Sequence, residues 1–179
     1  MAFGIDWANE DNAEKLEREL SVLVSYYLDN PNIKPCSMIG EKIYKIGIDG
    51  IGATRECGAS LHMRAYDING ISYPCQFFLP NSIGNTKAKE SLLIKWHGEE
   101  IPIDKLDSRC KDCVLKSSCH ICYGANWDST NNIYTHEENW CNLNKIIFKA
   151  RAYYQLKLFE RGLLQGSEFE QKATIKVLF

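Results

Sequence analysis

The sequence contains no run of about 18 apolar residues, the length that a membrane-spanning helix needs. It also lacks a secretory start, because the segment from Met1 to Trp7 has no basic stretch followed by an apolar one. Lysine and arginine number 21 against 23 acidic residues, so no basic surface for nucleic acid is indicated. These absences predict a cytoplasmic protein of 179 residues that contacts neither membrane nor nucleic acid.

Cysteine, by contrast, is abundant. Without a secretory start we expect the eight cysteines to be reduced thiols that are free to bind metal. Thiolates are soft ligands that select iron–sulfur clusters, zinc or Cu(I). The cysteines are Cys36, Cys57, Cys75, Cys110, Cys113, Cys119, Cys122 and Cys141, and four of them fall within residues 110–122.

Helices are predicted at both ends of the chain. The first covers residues 12–29, with Asp11 and Glu14 resembling a capping box. The last covers about 138–161 and should end at Gly162. The apolar stripes are Leu16, Leu20, Leu23 and Tyr27 in the first helix, and Leu143, Ile147, Ala150 and Tyr154 in the last.

Between these helices the pattern predicts a β-hairpin. Residues 60–67 and 71–78 are β-prone, and Asn69-Gly70 favours a two-residue turn because both positions tolerate positive φ. Such a hairpin would bring Cys57 and Cys75, at its open ends, towards each other. The other expected elements are a strand at 43–48, a helix at 87–97 with Leu92, Leu93 and Trp96 inward, and a cysteine-rich loop at 107–128. We therefore expect an α+β fold whose hairpin and loops are organised around metal clusters.

The cysteine spacing favours clusters over a single zinc ion. Structural zinc sites usually separate two C-x2-C pairs by about 15–20 residues, whereas the two pairs here are five residues apart. In two-cluster ferredoxins the fourth cysteine of a tight run binds the other cluster. On that precedent Cys110, Cys113, Cys119 and Cys141 hold one [4Fe–4S] cluster, and Cys57, Cys75 and Cys122 hold a second that is one ligand short.

The cysteines follow the pattern C-x12-G-x4-C, followed by C-x2-C-x5-C, a near cysteine and a last cysteine after 18 residues. Their order resembles that of the SPASM domain. This is the auxiliary iron–sulfur domain of radical S-adenosylmethionine enzymes such as anaerobic sulfatase maturases and peptide-modifying enzymes. The resemblance covers about residues 50–160. The matching segments are Cys57-Gly58-Ala59, Gly70-Ile71-Ser72-Tyr73-Pro74-Cys75 and Cys122-Tyr123-Gly124-Ala125-Asn126. The resemblance implies two [4Fe–4S] clusters that relay electrons, and a domain that positions a peptide or protein substrate.

The sequence departs from the family pattern in two places. Two residues, His120 and Ile121, separate Cys119 from Cys122, where the family usually has three. The stretch 50–56 lacks the further cysteine that the family often carries there. Cys36 is a candidate for the missing ligand; otherwise the second cluster keeps an open iron, which some family members are thought to use for substrate.

A third feature of these enzymes, the C-x3-C-x2-C motif that binds S-adenosylmethionine, is absent, since no two cysteines here are separated by three residues. We therefore expect a part or partner of a radical enzyme that is not catalytically complete alone, and a separate catalytic subunit as a partner. The expected segments are a barrel end or linker at 1–48, the SPASM-like domain at 49–162 and a tail at 163–179. The alternatives are a zinc-stabilised protein-interaction module without redox activity, and a remnant that keeps only the fold.

Several neighbours of the cysteines have expected roles. Gly58 and Gly124 would let backbone amides approach sulfur. Arg109 would offset the negative charge of a cluster, and His120 is expected to be an outward loop residue rather than a ligand. The aromatic residues expected to shield the iron from water are Tyr123, Trp127, Tyr134 and Trp140.

Overall fold

The computed structural model of the protein describes residues 5–43, 57–96, 105, 107–116, 118–119, 122–164 and 166–178, without the side chain of residue 169. Its helices are α1 (Glu10–Asp29), α2 (Ser37–Gly40), α3 (Pro80–Ile83), α4 (Asn85–Ser91), α5 (Ser108–Lys111), α6 (Tyr123–Thr130), α7 (Glu138–Glu160) and α8 (Glu168–Leu178). Strands β1 (Ala65–Tyr66) and β2 (Ser72–Tyr73) precede a 3₁₀ turn at Gln76–Phe78. The described residues are thus mostly helical with one small antiparallel sheet, which is compatible with the predicted α+β class.

The chain divides into two compact units, each with its own hydrophobic core. The helical unit lies within Met1–Ile51, Val114–Cys119 and Glu138–Phe179. The hairpin unit lies within Gly52–Cys113 and His120–Glu137. The predicted strand at 43–48 falls, beyond residue 43, outside the described residues.

Helix α7 is the centre of the helical unit, where it contacts α1, α2 and α8. Helix α1 confirms the first predicted helix, but its N-cap is Asn9, whose side chain accepts a hydrogen bond from the Asn12 amide at 3.3 Å. The capping box predicted at Asp11 and Glu14 is therefore wrong, because the helix already begins at Glu10. The core residues of this unit are Leu20, Val24, Leu28, Ile39, Ile146 and Tyr154.

The C-terminal region contains two helices. Helix α7 confirms the long predicted helix, and Gly162 follows its end with φ +68° and its amide bonded to the Phe159 carbonyl at 3.0 Å. Helix α8 lies within the segment predicted as a tail and packs on α7. It begins with a reciprocal cap, since Ser167 Oγ accepts from the Glu170 amide (3.2 Å) and Glu170 Oε2 accepts from the Ser167 amide (2.7 Å). No helix among the described residues has the length and apolar character to span a bilayer.

The hairpin of the second unit has a longer loop than predicted. Ala65 lies opposite Tyr73, and the Asp67 amide bonds to the Ile71 carbonyl, so the loop contains residues 68–70. Asp67 Oδ1 accepts from the amides of Asn69 and Ile71, both at 2.9 Å, and only Gly70 has positive φ (+76°). The two-residue turn is therefore wrong, because the Asp67 side chain stabilises a three-residue loop that needs one left-handed position.

Two other predictions in the hairpin unit need correction. Helix α4 ends at Ser91, so Leu92 and Leu93 do not face inward and are 44% and 83% exposed. The predicted cysteine-rich loop contains the short helix α5 and the two-turn helix α6. Trp96 does pack inward. The core of this unit is formed by Ala59, Tyr73, Cys75, Phe78, Ile83, Ala88, Tyr123, Ile133 and Tyr134, with Trp96 packed against it.

Candidate metal centre

No disulfide joins the eight cysteines, all of which the structure describes, and they are distributed over both units. The helical unit contains Cys36, Cys119 and Cys141. The hairpin unit contains the other five: Cys57, Cys75, Cys110, Cys113 and Cys122.

Three thiols of the hairpin unit, those of Cys57, Cys75 and Cys122, lie within electrostatic range of one another. Burial raises the pKa of Cys75, and the negative charges that Cys57 and Cys122 can carry raise it further. Burial also raises the pKa of Cys122, with a further contribution from Cys57. Such effects between like charges weaken with distance, so the three thiols belong to one electrostatic environment. The sequence assigns these three cysteines to one cluster, and their role as ligands stays a prediction.

The hairpin and one helix contact account for this shared environment. Near Cys57, the Ser60 amide donates to the Pro74 carbonyl at 2.9 Å, which ties the start of the segment to the residue before Cys75. Cys75 itself is the residue from which the 3₁₀ turn begins, and Cys122 stands immediately before α6. Because the 3₁₀ turn contacts α6, the third cysteine enters the environment of the first two.

Backbone amides at these cysteines favour the thiolate form that binds metal. The amides of Phe77 and Phe78 lower the pKa of Cys75 against the stronger effect of burial. The amides of the second and third residues of α6 act in the same way on Cys122. A cationic metal centre would offset the burial cost and the thiolate repulsion together. The electrostatics of Cys75 and Cys122 are therefore compatible with a metal ligand role, which stays a prediction.

The two glycines next to these cysteines differ in what they permit. A Cβ on Gly124 would lie 2.6 Å from Cβ of Phe77, so the absence of a side chain allows α6 to approach the 3₁₀ turn. A Cβ on Gly58 would have its nearest neighbour at 3.6 Å, an ordinary contact. The requirement for glycine at position 124 thus comes from packing on Phe77, whereas position 58 has room for a methyl group.

Aromatic rings pack together in the core cluster that contains Cys75 and against which Cys57 packs. Tyr123, directly after Cys122, packs edge-on against Trp96 and Tyr134 with centroid distances of 5.5 and 6.1 Å. Trp96 also meets Phe78, at 5.7 Å. Tyr123 and Tyr134 belong to the same core cluster as Cys75, and their role as a shield stays a prediction. Trp127 packs at its margin, and Trp140 belongs to the helical unit.

A compact ion pair supports the segment that carries Cys110. Asp107 caps α5, and its carboxylate accepts from the Arg109 backbone amide (2.9 Å), from Nε (3.1 Å) and from Nη2 (2.7 Å). The Arg109 guanidinium also donates to the His136 carbonyl. The Cys110 amide in turn donates to the Asp107 carbonyl at 2.8 Å, and the Cys113 amide to the Cys110 carbonyl at 3.3 Å. Arg109, which was expected to offset cluster charge, is paired with Asp107.

The Asp107 ion pair predicts a specific pH dependence of stability. The Arg109 hydrogen bonds hold the pKa of Asp107 at about 2, below its ordinary value of 3.8. The stabilisation is therefore present above about pH 4 and is lost as the pH falls towards 2. Asp107→Asn should lower the urea midpoint at pH 6, and its effect should shrink progressively below pH 4. Asp112→Asn, which changes an exposed carboxylate, is the control. If Asp107→Asn lowered the urea midpoint equally at pH 6 and at pH 3, the prediction would be contradicted.

In the helical unit, Cys119 lies beside α7. Its Sγ accepts a hydrogen bond from Asn144 Nδ2 at 3.5 Å. Asn144 is buried and stands three residues after Cys141, so both are on one side of the helix. The expectations from the sequence do not include Asn144, although its position three residues after Cys141 places both on one side of a helix. Hydrogen-bond donors to sulfur are common around metal-bound thiolates, and the ligand role of Cys119 stays a prediction.

Cys36 is exposed and stands before α2, with its amide bonded to the Tyr27 hydroxyl at 3.2 Å. Its candidacy as the missing ligand stays a prediction. His120 and Ile121 lie outside the described residues. Within the part of the chain that the structure describes, no three or more His, Cys, Asp or Glu side chains are placed so that they could hold a metal ion. The thiols of Cys57, Cys75 and Cys122 therefore influence one another electrostatically without ligand geometry.

Comparisons of the chain with protein-family models, curated proteins and solved structures found no match. The functional assignment therefore depends on the cysteine spacing and on the geometry described above.

Proposed function

We propose that the protein is a SPASM-like auxiliary iron–sulfur domain of a radical S-adenosylmethionine system. In this role it relays electrons and positions a peptide or protein substrate. The proposal is supported chiefly by the cysteine spacing, and also by the electrostatic influence of Cys57, Cys75 and Cys122 on one another, although they come from three separate segments. These three cysteines would hold one [4Fe–4S] cluster. The assignment of Cys110, Cys113, Cys119 and Cys141 to another cluster remains a prediction of the sequence.

A bound [4Fe–4S] cluster supplies a one-electron redox couple, whose potential depends on hydrogen bonds to sulfur and on solvent exposure. Both properties are set by residues of the hairpin unit. The amides of Phe77 and Phe78 stabilise negative charge on Cys75, which favours the reduced state. The buried rings of Tyr123 and Tyr134 limit the access of water. Because a [4Fe–4S] cluster takes four ligands, these three thiolates leave one position for Cys36 or for a substrate group.

Iron and sulfide content test the proposal. After anaerobic reconstitution, the wild-type chain should hold about eight irons and about eight sulfides, as expected for two [4Fe–4S] clusters. Cys75→Ser and Cys113→Ser should each lose about half of the iron, and the double variant should lose nearly all of it. The reason is that each single variant removes a ligand from a different cluster.

The same measurement separates the competing function. A zinc module centred on residues 110–141 would bind zinc without sulfide and would keep its metal in Cys75→Ser. Either result would overturn the proposal. Cys36→Ser identifies the fourth ligand, because a change in the electron paramagnetic resonance signal of the reduced hairpin-unit cluster would assign that position to Cys36.

A further inference from the structure

A groove on the hairpin unit is lined by residues that do not include a cysteine. It has a volume of about 710 Å³ and lies between the hairpin, over residues 66–73, and the segment 79–89. This volume is within the usual range for ligand sites in proteins, about 300–1,000 Å³. Its apolar lining includes Tyr66, Ile71 and Leu79. Such an apolar wall with a few polar groups is the usual composition of a binding site.

The polar groups of this groove are available to a ligand. The carboxamides of Asn81 and Asn85 and the ammonium group of Lys89 line it. None of the three makes a side-chain hydrogen bond or an ion pair with any residue that the structure describes. Asp67, at the hairpin side of the groove, instead uses its carboxylate to bind the amides of its own loop. The polar side chains that can bind a ligand therefore lie along the α3–α4 side of the groove.

These groups match the chemistry of an extended peptide. Each carboxamide offers both a donor and an acceptor, as does each backbone amide of a peptide. Lys89 supplies a cation for a carboxylate, while Asp67 would repel one at the opposite side. The apolar wall accepts aliphatic side chains.

We propose that this groove binds an extended peptide segment, with an acidic residue paired to Lys89 and aliphatic side chains against Tyr66, Ile71 and Leu79. The inference rests on the proposed role in substrate positioning. Tyr73 connects the two sites, because it lines the groove and belongs to the same core cluster as Cys75. A peptide in the groove is thereby held on the hairpin that carries a predicted cluster ligand.

Selection from a displayed random heptapeptide library on the reconstituted wild-type chain tests this site. The selected peptides should contain an acidic residue close to aliphatic ones. Lys89→Glu should weaken the binding of a selected peptide by about tenfold or more, as expected for the loss of one charge-assisted contact and its replacement by repulsion. Asn81→Ala with Asn85→Ala should weaken it by a further factor of about ten.

The controls separate the groove from general charge effects. Lys95→Glu makes the same charge change at an exposed lysine that is not part of the groove lining, and should leave binding within about twofold. Enrichment of no peptide, or equal binding by wild type and Lys89→Glu, would overturn the inference. Iron content distinguishes the two proposals: normal iron without groove-dependent binding refutes only the peptide site. Groove-dependent binding by a chain that takes up no iron refutes the cluster proposal instead.

Discussion

Arg151→Ala is expected to destabilise the helical unit by about 2–3 kcal/mol. The Arg151 side chain is 6% exposed and pairs with Glu41 at 3.0 Å. Its guanidinium also donates to the carbonyls of Met38 (3.2 Å) and Ser37 (3.5 Å), which belong to α2. The Ser37 carbonyl also accepts from the Glu41 amide at 3.2 Å, so Arg151 adds side-chain donors to α2. Truncation to alanine would remove the guanidinium donors from these two carbonyls and from the Glu41 carboxylate.

Urea unfolding followed by circular dichroism measures this effect. The matched control is Arg18→Ala, because Arg18 pairs with Glu19 on the surface, with side chains 68% and 70% exposed. That pair should contribute less than about 1 kcal/mol. Arg151→Lys should recover only part of the stability, since an ammonium group cannot reproduce the planar set of guanidinium donors. Equal midpoints for Arg151→Ala and Arg18→Ala would contradict the assigned role.

Gly124→Ala is expected to reduce both the stability of the hairpin unit, by about 1–3 kcal/mol, and its iron content. The new methyl group would lie 2.6 Å from Cβ of Phe77, closer than real Cβ contacts. Rotation of the ring cannot relieve this overlap, because Cβ is attached directly to the backbone of the 3₁₀ turn. Helix α6 would have to move away from the turn, and these elements carry Cys122 and Cys75.

Gly58→Ala is the matched control, because it adds the same methyl group beside another predicted ligand, Cys57. Its Cβ would lie 3.6 Å from the nearest atom, and it should keep normal stability and iron. Thermal unfolding and iron analysis of both variants provide the comparison. A loss of iron in Gly58→Ala that matches the loss in Gly124→Ala would show that packing on Phe77 is not the cause.

The sequence predicted the long helices well because their signals are local. The apolar stripes of α1 and α7 repeat at helical spacing, and Gly162 ends α7 as expected. Helix α8 also had a local signal, the Ser167–Glu170 cap, which was missed because the apolar pattern of that segment is weak. The hairpin position was correct, but its loop length depended on the Asp67 side chain.

The burial and the partners of individual side chains were less predictable from the sequence than the positions of the helices. Leu92 and Leu93 have an inward pattern only if α4 continues, and it ends at Ser91, whose hydroxyl donates to the Ala88 carbonyl at 2.7 Å. The sequence also did not predict the partner of Arg109, because a guanidinium group can pair either with a negatively charged cluster or with the nearby Asp107 carboxylate.

The sequence by itself determined the set of eight cysteines, their intervals and the two long helices, because composition and periodicity are properties of neighbouring residues. Only the tertiary structure decided that the thiols of Cys57, Cys75 and Cys122 share one electrostatic environment. That outcome depends on the Ser60–Pro74 hydrogen bond and on the close packing of Gly124 against Phe77, contacts between segments remote in the chain. Such contacts form only when the core closes around them, and no local pattern specifies their geometry.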